Sequence, residues 1–265
     1  MYFCIRICHV AYYKMLNKNR ETLKTICIDA GNSLIKVAYS EESVILSLAS
    51  FSITDTESLL HYIESLSQAD ACIVSSVSVV GREIINALKH KSAYFTELTS
   101  DTPVPIRNLY KTPESLGKDR LAAIVGANSL FPDKDVMVFD FGTAMTVDFV
   151  DKEGNYHGGN ISPGLNMRFR ALHDYTKKLP LHSQTDDYKM LGDTTASAII
   201  SGVQNGMIFE INSYIEHFVK LYPDLIIIFT GGDTFFFANK ILKCIFAEPN
   251  LVFIGLEKII KFNLL

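Results

Sequence analysis

The sequence has no long run of like charges, no linker rich in proline, glycine and serine, and no unbroken apolar stretch near the roughly 20 residues that a bilayer crossing needs. With a formal net charge of −4, it offers no surface suited to a phosphate backbone, so nucleic acid is not an expected partner. A membrane is not expected either. The apolar opening MYFCIRICHV is interrupted by Arg6 and His9, and no small-residue cleavage site follows a clean apolar core. Residues 1–24 read as an N-terminal extension, with Met15 as an alternative start. Cysteine is sparse as well. Cys4, Cys8, Cys27, Cys72 and Cys244 are odd in number, scattered, and without metal-ligand spacing to any of the seven histidines. They read as reduced thiols of a cytoplasmic protein.

What is present is a large apolar fraction, 48% of 265 residues, enough for the cores of two domains of roughly 100–150 residues each. Ile26–Asp29 and Leu34–Tyr39 read as strands joined at Ala30-Gly31-Asn32-Ser33, a turn in which Gly and Asn accept positive φ; Ser43–Ala49 is a third strand. TDTESLLHYIESLS places Leu59, Leu60, Ile63 and Leu66 at helical spacing behind an Asp55 or Thr56 cap. The β-branched run Ala71–Val77 followed by the helical GREIINALK gives the alternation of an α/β fold. Pro113 and Ser115 signal the start of a helix that continues through Leu121–Leu130 and stops at Phe131-Pro132-Asp133. The pattern then restarts with strands ending at Asp140, over Met145–Val150 and through Tyr156–Ile161. A long helix over Thr194–Tyr222 and a buried strand in LIIIFTGGD follow. The expected domains are 25–133 and 134–265, with the C-terminal segment free to pack on the first.

The restart is also a repeat. ICIDAGNSLIKVA and VMVFDFGTAMTVDFV both end an apolar run in Asp, turn through Gly and small polar residues, and resume an alternating pattern; Asp140 follows Asp29 by 111 residues, about one domain. Such a turn exposes backbone N–H groups to phosphate oxygens, and the Cβ-free position allows close approach. Asn32, Ser33, Thr143 and Thr146 add side-chain donors, and an Asp at the strand end can meet the phosphate's metal ion. Each turn taken alone reads first as an ordinary hairpin, and it is two copies at domain spacing that favour the phosphate reading. A third Gly-rich turn, Thr230-Gly231-Gly232-Asp233, could hold an adenosine. In LGKDR, Asp119 and Arg120 either complement a helix dipole or serve an acceptor substrate, Asp119 taking a hydroxyl proton and Arg120 binding an anionic group. GGNISPG is a permissive loop entering a helix at Leu165, either a plain turn or part of the site. The long helix is core, or it is a subunit interface.

Taken in order, DAGNSLIK, YKTPESLGKDR, DFGTAMTVD, GGNISPGL, GDTTASAIISG and TGGD resemble the type III pantothenate kinases over nearly all of Thr25–Leu265. The resemblance implies the actin and sugar-kinase superfamily: an α/β fold of two ribonuclease H-like domains with a nucleotide cleft between them, the repeated phrase being one phosphate loop from each. It implies ATP-dependent phosphorylation of pantothenate to 4′-phosphopantothenate, the first step of coenzyme A biosynthesis, by a homodimer. Asp29, Ala30, Gly31, Asn32, Ser33, Leu34, Ile35 and Lys36 match the ATP-phosphate loop, with Asp29 near Mg²⁺. Thr143 matches a second nucleotide contact, and Asp140 the site of a monovalent cation, K⁺ or NH₄⁺. Asp119 matches the general base, while Tyr110, Gly117, Lys118, Asp119, Arg120 and Thr195 match the pantothenate positions. Ser33 stands where many members have Thr, and keeps the hydroxyl. The competing function is a nucleotide-binding regulatory protein without kinase activity.

Overall fold

In the computed structural model, residues 6–7, 22–77, 80–241, 243 and 245–265 are described. Cys4, Cys8 and Cys244, and most of the extension read at 1–24, lie outside them; Cys27 and Cys72 are buried free thiols. Chain order begins β1 (Arg6–Ile7), β2 (Lys24–Ala30), β3 (Leu34–Glu41), β4 (Val44–Ser52), α1 (Thr56–Ser65), β5 (Ala69–Ser76), α2 (Arg82–Lys91), β6 (Ser92–Glu97) and β7 (Arg107–Asn108). It continues with α3 (Lys118–Leu130), β8 (Val136–Phe141), β9 (Ala144–Val150), β10 (Asn155–Pro163), α4 (Leu165–Asp174) and α5 (Thr195–Leu221). The last elements are β11 (Ile226–Gly231), α6 (Thr234–Ala238), β12 (Phe246–Ala247) and α7 (Leu251–Asn263).

The chain divides into two compact units. Among the described residues, one comprises 22–133, Glu153–His157 and Asn250–Leu265; the other comprises Arg6–Ile7, Lys134–Lys152 and Gly158–Pro249. The first unit contains a five-stranded sheet in the order β4-β3-β2-β5-β6, antiparallel through β4, β3 and β2 and parallel from β2 to β6. Strand alternation splits its side chains cleanly. Ile26, Ile28, Ala30, Cys72 and Val74 join Leu59 and Ile63 of α1 and Ile84 and Leu88 of α2 in one core. Thr25, Cys27 and Asp29 therefore point to the opposite face, where α7 packs on β2 and β5 and α3 packs on β5. Burial raises the Cys27 thiol's pKa well above its ordinary value, and the nearby Glu257 carboxylate of α7 raises it further.

On that face α3 and α7 cross at glycines. A Cβ on Gly126 would fall 3.0 Å from the amide nitrogen of Gly255, and one on Gly255 would fall 2.6 Å from the carbonyl carbon of Ala122. Only the absence of both side chains lets the two backbones meet.

The turn joining β2 to β3 closes with the Gly31 N–H donating to Leu34 O at 3.0 Å. Contrary to the sequence reading, neither Gly31 nor Asn32 has positive φ. The left-handed residues of this meander are Glu42 (φ 48°) and Ser43 (φ 65°), in the two-residue β3–β4 turn whose twist demands them. Asp55 does cap α1, accepting from Ser58 N–H at 3.2 Å. The helix predicted from Pro113 is also revised. Pro113–Ser115 form a separate 3-10 turn, and α3 begins at Lys118 with Gly117 as its N-cap.

The second unit holds the sheet order β1-β12-β11-β8-β9-β10. At its N-terminal end β10 instead pairs with β7 through Asn155 and Tyr156, a pairing that belongs to the first unit. Phe139, Phe141, Phe229 and Phe237 pack with Ile199, Val203, Met207, Ile211 and Ile215 of α5 in one core. Gly158–Pro163, read partly as a loop, is strand, so that Gly164 alone separates β10 from α4. Among the described residues, no helix is long and apolar enough to cross a membrane.

Candidate functional site

The two copies of the repeated phrase are built alike. Each is an antiparallel hairpin whose first strand also has a parallel neighbour: β2 pairs β3 and β5, and β8 pairs β9 and β11. Asp29 aligns with Lys36 and Ser75, and Asp140 aligns with Thr146 and Thr230. The second hairpin is shorter by one residue, closing with the Gly142 N–H on Ala144 O at 3.1 Å.

In the first unit, Asp29 is half-buried, and Asn32, Ser33 and Leu34 are exposed at the hairpin tip beyond it. Desolvation and the neighbouring Asp119 carboxylate raise the Asp29 pKa to about 6, and the Lys36 ammonium acts against them. That coupling brings together three residues far apart in sequence: the acid of the hairpin, the lysine opposite it and the acid at the start of α3. Asp119 Oδ1 accepts the Arg120 backbone N–H at 2.8 Å. A Cβ on Gly117 would sit 2.5 Å from the same oxygen, so glycine keeps the carboxylate where it is. Arg120 is buried, with its guanidinium 5.7 Å from the Tyr110 ring centroid. Tyr110 in turn stacks on the fully buried Tyr156 at 6.2 Å and 7°. Lys118 reaches back to Pro113 O at 3.5 Å.

In the second unit, Asp140 stands at the end of β8 and Thr143 is exposed at the hairpin tip. Gly231 has φ +91°, and a Cβ there would strike Asp140 Oδ1 and lie 2.6 Å from Phe141 N. The turn after β11 is therefore pressed against the acid, and Asp233 N–H donates to Phe141 O at 3.2 Å. Gly164 donates to Thr143 O at 3.1 Å, leaving no room for a side chain beside Gly142 and Thr143. The last glycine of GGNISPG thus packs on the second hairpin tip. Thr195 is exposed at the first turn of α5, whose start is fixed by a reciprocal Thr194–Ser197 capping box.

Within the first unit the structure thus gathers Asp29, Lys36, Tyr110, Asp119 and Arg120; within the second, Asp140, Thr143 and Gly164 adjoin. Thr195 lies at the first position of α5. Tyr156 and Ser75 were not singled out from the sequence. Tyr156 looked like one more strand residue, and Ser75 lies in ACIVSSV, where a hydroxyl in a β-branched run was the only available signal. Among the described residues, no group of three His, Cys, Asp or Glu side chains is arranged to enclose a metal ion. The 680 Å³ depression lined by Phe51, His61 and Tyr62 opens beside α1, on the sheet face opposite Asp29.

The sequence profile of the type III pantothenate kinase family matches residues 25–217. A type III pantothenate kinase of Phocaeicola vulgatus is 43% identical over 90% of this chain and 98% of its own length. Those of Bacteroides fragilis and Flavobacterium johnsoniae are 40% and 36% identical, each over 90% of this chain and 98% of its own length. Among solved structures, a Campylobacter jejuni protein assigned to the Baf family of transcriptional activators superposes with a TM-score of 0.62 at 22% identity, covering 90% of this chain and 98% of its own. A Listeria monocytogenes protein assigned as an N-acetylmannosamine kinase superposes with a TM-score of 0.52 at 10% identity, over 91% of this chain and all of its own. At such identities the two structures speak for the fold alone.

Proposed function

The chain belongs to the type III pantothenate kinase family, and on that premise we propose how its residues carry out ATP-dependent phosphorylation of pantothenate, the entry step of coenzyme A biosynthesis. Asp119 takes the proton from the primary hydroxyl of pantothenate as that oxygen attacks the γ-phosphorus; the bond from the γ-phosphorus to the β-bridging oxygen breaks, and ADP departs. Arg120 binds the pantothenate carboxylate, with Tyr110, Gly117, Lys118 and Thr195 completing the acceptor positions. The backbone of Gly31–Ser33 and the Lys36 ammonium hold ATP phosphates, and Thr143 makes a second nucleotide contact. The observation that carries this reading is the electrostatic coupling of Asp119 to Asp29. The acid suited to the acceptor hydroxyl and the acid of the phosphate hairpin share one face.

A carboxylate that a second carboxylate beside it makes costlier to ionise suits a divalent cation, and Asp29 is the residue that would meet Mg²⁺ through the phosphates. When bound, Mg²⁺ neutralises charge on the transferring phosphoryl group. Asp140, a carboxylate close to the Gly231 turn and in register with Thr146 and Thr230, offers the oxygen ligand that a hard monovalent cation, K⁺ or NH₄⁺, prefers. We place the enzyme in the cytoplasm as a homodimer, with α5, where Phe209 is exposed, at the interface. No observation favours the regulatory alternative.

The test is ADP release by the purified protein with ATP, Mg²⁺ and pantothenate, in potassium and with sodium in its place. Turnover should require pantothenate and fall in sodium. Equal rates in the two salts would overturn the Asp140 assignment; ADP release indifferent to pantothenate would overturn the acceptor. A second expectation concerns Gly117→Ala. The φ of −56° at this position admits alanine, but the added methyl evicts Asp119 Oδ1, so kcat should fall about 10- to 100-fold with the melting temperature nearly unchanged. An unaltered kcat would show that the position of that carboxylate does not matter.

A further inference from the structure

Ser75 is fully buried, and among the described residues its hydroxyl has no hydrogen-bond partner. An orphaned buried hydroxyl is destabilising, and in a native structure it calls for a reason. The register supplies one. Ser75 is the direct partner of Asp29 across the parallel β2–β5 pair. In-register residues of neighbouring strands project from the same face, with backbones about 4.8 Å apart. That face is the one shared by Asp29, Lys36 and the start of α3. Ile73 and Ala71, two and four residues earlier on the same face of β5, are apolar, so the hydroxyl stands only where the strand reaches the acid.

The duplication repeats the arrangement. In the second unit the parallel neighbour of β8 places Thr230, also buried, in register with Asp140. Both copies therefore set a hydroxyl-bearing residue beside the acid that ends the first hairpin strand. Thr25 and Ser129 also carry orphaned hydroxyls, but neither is in register with an acid, and they show no such recurrence.

We propose that Ser75 is a positioning residue: its hydroxyl donates to the Asp29 carboxylate, directly or through one bound water, and fixes that carboxylate for its contact with the metal and phosphates of ATP. The proposal rests on the assignment of Asp29 to the phosphate site. Catalytic hydrogen bonds are often open in the free enzyme and close in the substrate complex, which accounts for a hydroxyl in register with Asp29 and not yet bonded.

The experiment compares the full-length wild type with Ser75→Ala and Ser75→Thr, reading kcat, the KM values for MgATP and pantothenate, MgATP affinity by calorimetry, and the melting temperature. A serine that only filled space would be replaced by alanine without functional loss. As a positioning residue, its loss should raise the KM for MgATP and lower kcat, together about tenfold or more in kcat/KM, and leave the KM for pantothenate within twofold. The melting temperature should hold or rise by about 2–4 °C, because an unsatisfied group has been removed. Ser75→Thr, which keeps the hydroxyl and copies the residue of the second unit, should restore most of the loss. Wild-type kinetics in Ser75→Ala would overturn the proposal, as would a loss confined to the melting temperature. If the wild type shows no pantothenate-dependent turnover, the kinase reading fails separately. Ser75 is then judged by calorimetry alone, where unchanged MgATP affinity in Ser75→Ala overturns the role and weakened affinity supports it.

Discussion

Asp119→Asn should lower kcat by about 10²–10⁴ while leaving a protein that melts no lower than the wild type at pH 7. Asparagine keeps the size of the side chain and an oxygen able to accept the Arg120 N–H, so the first turn of α3 has no reason to move. What it loses is the basic carboxylate that would receive the hydroxyl proton. The same change removes a negative charge beside Asp29, whose pKa is raised to about 6, first by desolvation and then by Asp119. The sign of the linked stability effect follows. An acid whose folded pKa exceeds its unfolded value binds more protons when folded, so stability declines as pH rises from the ordinary carboxylate range through about 6. Lowering the Asp29 pKa by removing its neighbour relieves part of that loss at neutral pH. Activity and stability should thus move in opposite directions, which separates a catalytic defect from misfolding. A variant that keeps near-wild-type turnover would take Asp119 out of the role of base, whatever its stability.

The elements that could be read from the sequence were those with a strong local period or punctuation. The alternating strands around Asp29 and Asp140, the amphipathic α1 and the long α5 stand close to where their patterns place them, because each buries one regular face. Turn conformation was less legible. Glycine permits positive φ without requiring it, and the strained turn of the meander fell on Glu42-Ser43, a pair with no glycine in it. The start of α3 was misplaced for a related reason. Pro113 is a sound signal for a helical turn, but Leu116 adopts an extended backbone after Ser115, and a new helix has to begin at Gly117. At the site, Asp29, Asp119 and Arg120 were legible through motif order. Ser75 and Tyr156 were not, because their significance lies in cross-strand register and ring stacking, which appear only once the strands are paired.

The least legible feature of all is the α3–α7 crossing, and Gly255→Ala should be the most damaging small substitution in the first unit. An isolated glycine within a helical pattern ordinarily invites replacement, since alanine gains about 1 kcal/mol in intrinsic helix propensity. Here the added methyl would overlap the carbonyl oxygen of Ala122 and lie 2.6 Å from its carbon and 3.0 Å from the amide nitrogen of Gly126. All three are backbone atoms, so no side-chain rotation relieves the clash and the helices must separate. Overpacking of a rigid interface costs roughly 1–3 kcal/mol, and backbone contacts place this case at the upper end, about 3 kcal/mol before the propensity gain is returned. A net loss of about 2 kcal/mol corresponds to a fall of roughly 4–8 °C in melting temperature for a chain of this size. Gly202→Ala in α5 is the control: a Cβ there meets nothing within 4 Å, so propensity acts alone and the melting temperature should hold or rise. Separation of the helices also lifts the N-terminus of α3, which carries Asp119 and Arg120. Gly255→Ala should therefore lose activity below its melting temperature as well, with kcat reduced. Melting within 2 °C of the wild type, with full turnover, would mean that the crossing yields without cost and that the close approach of the two helices does not hold the turn that carries Asp119 in place.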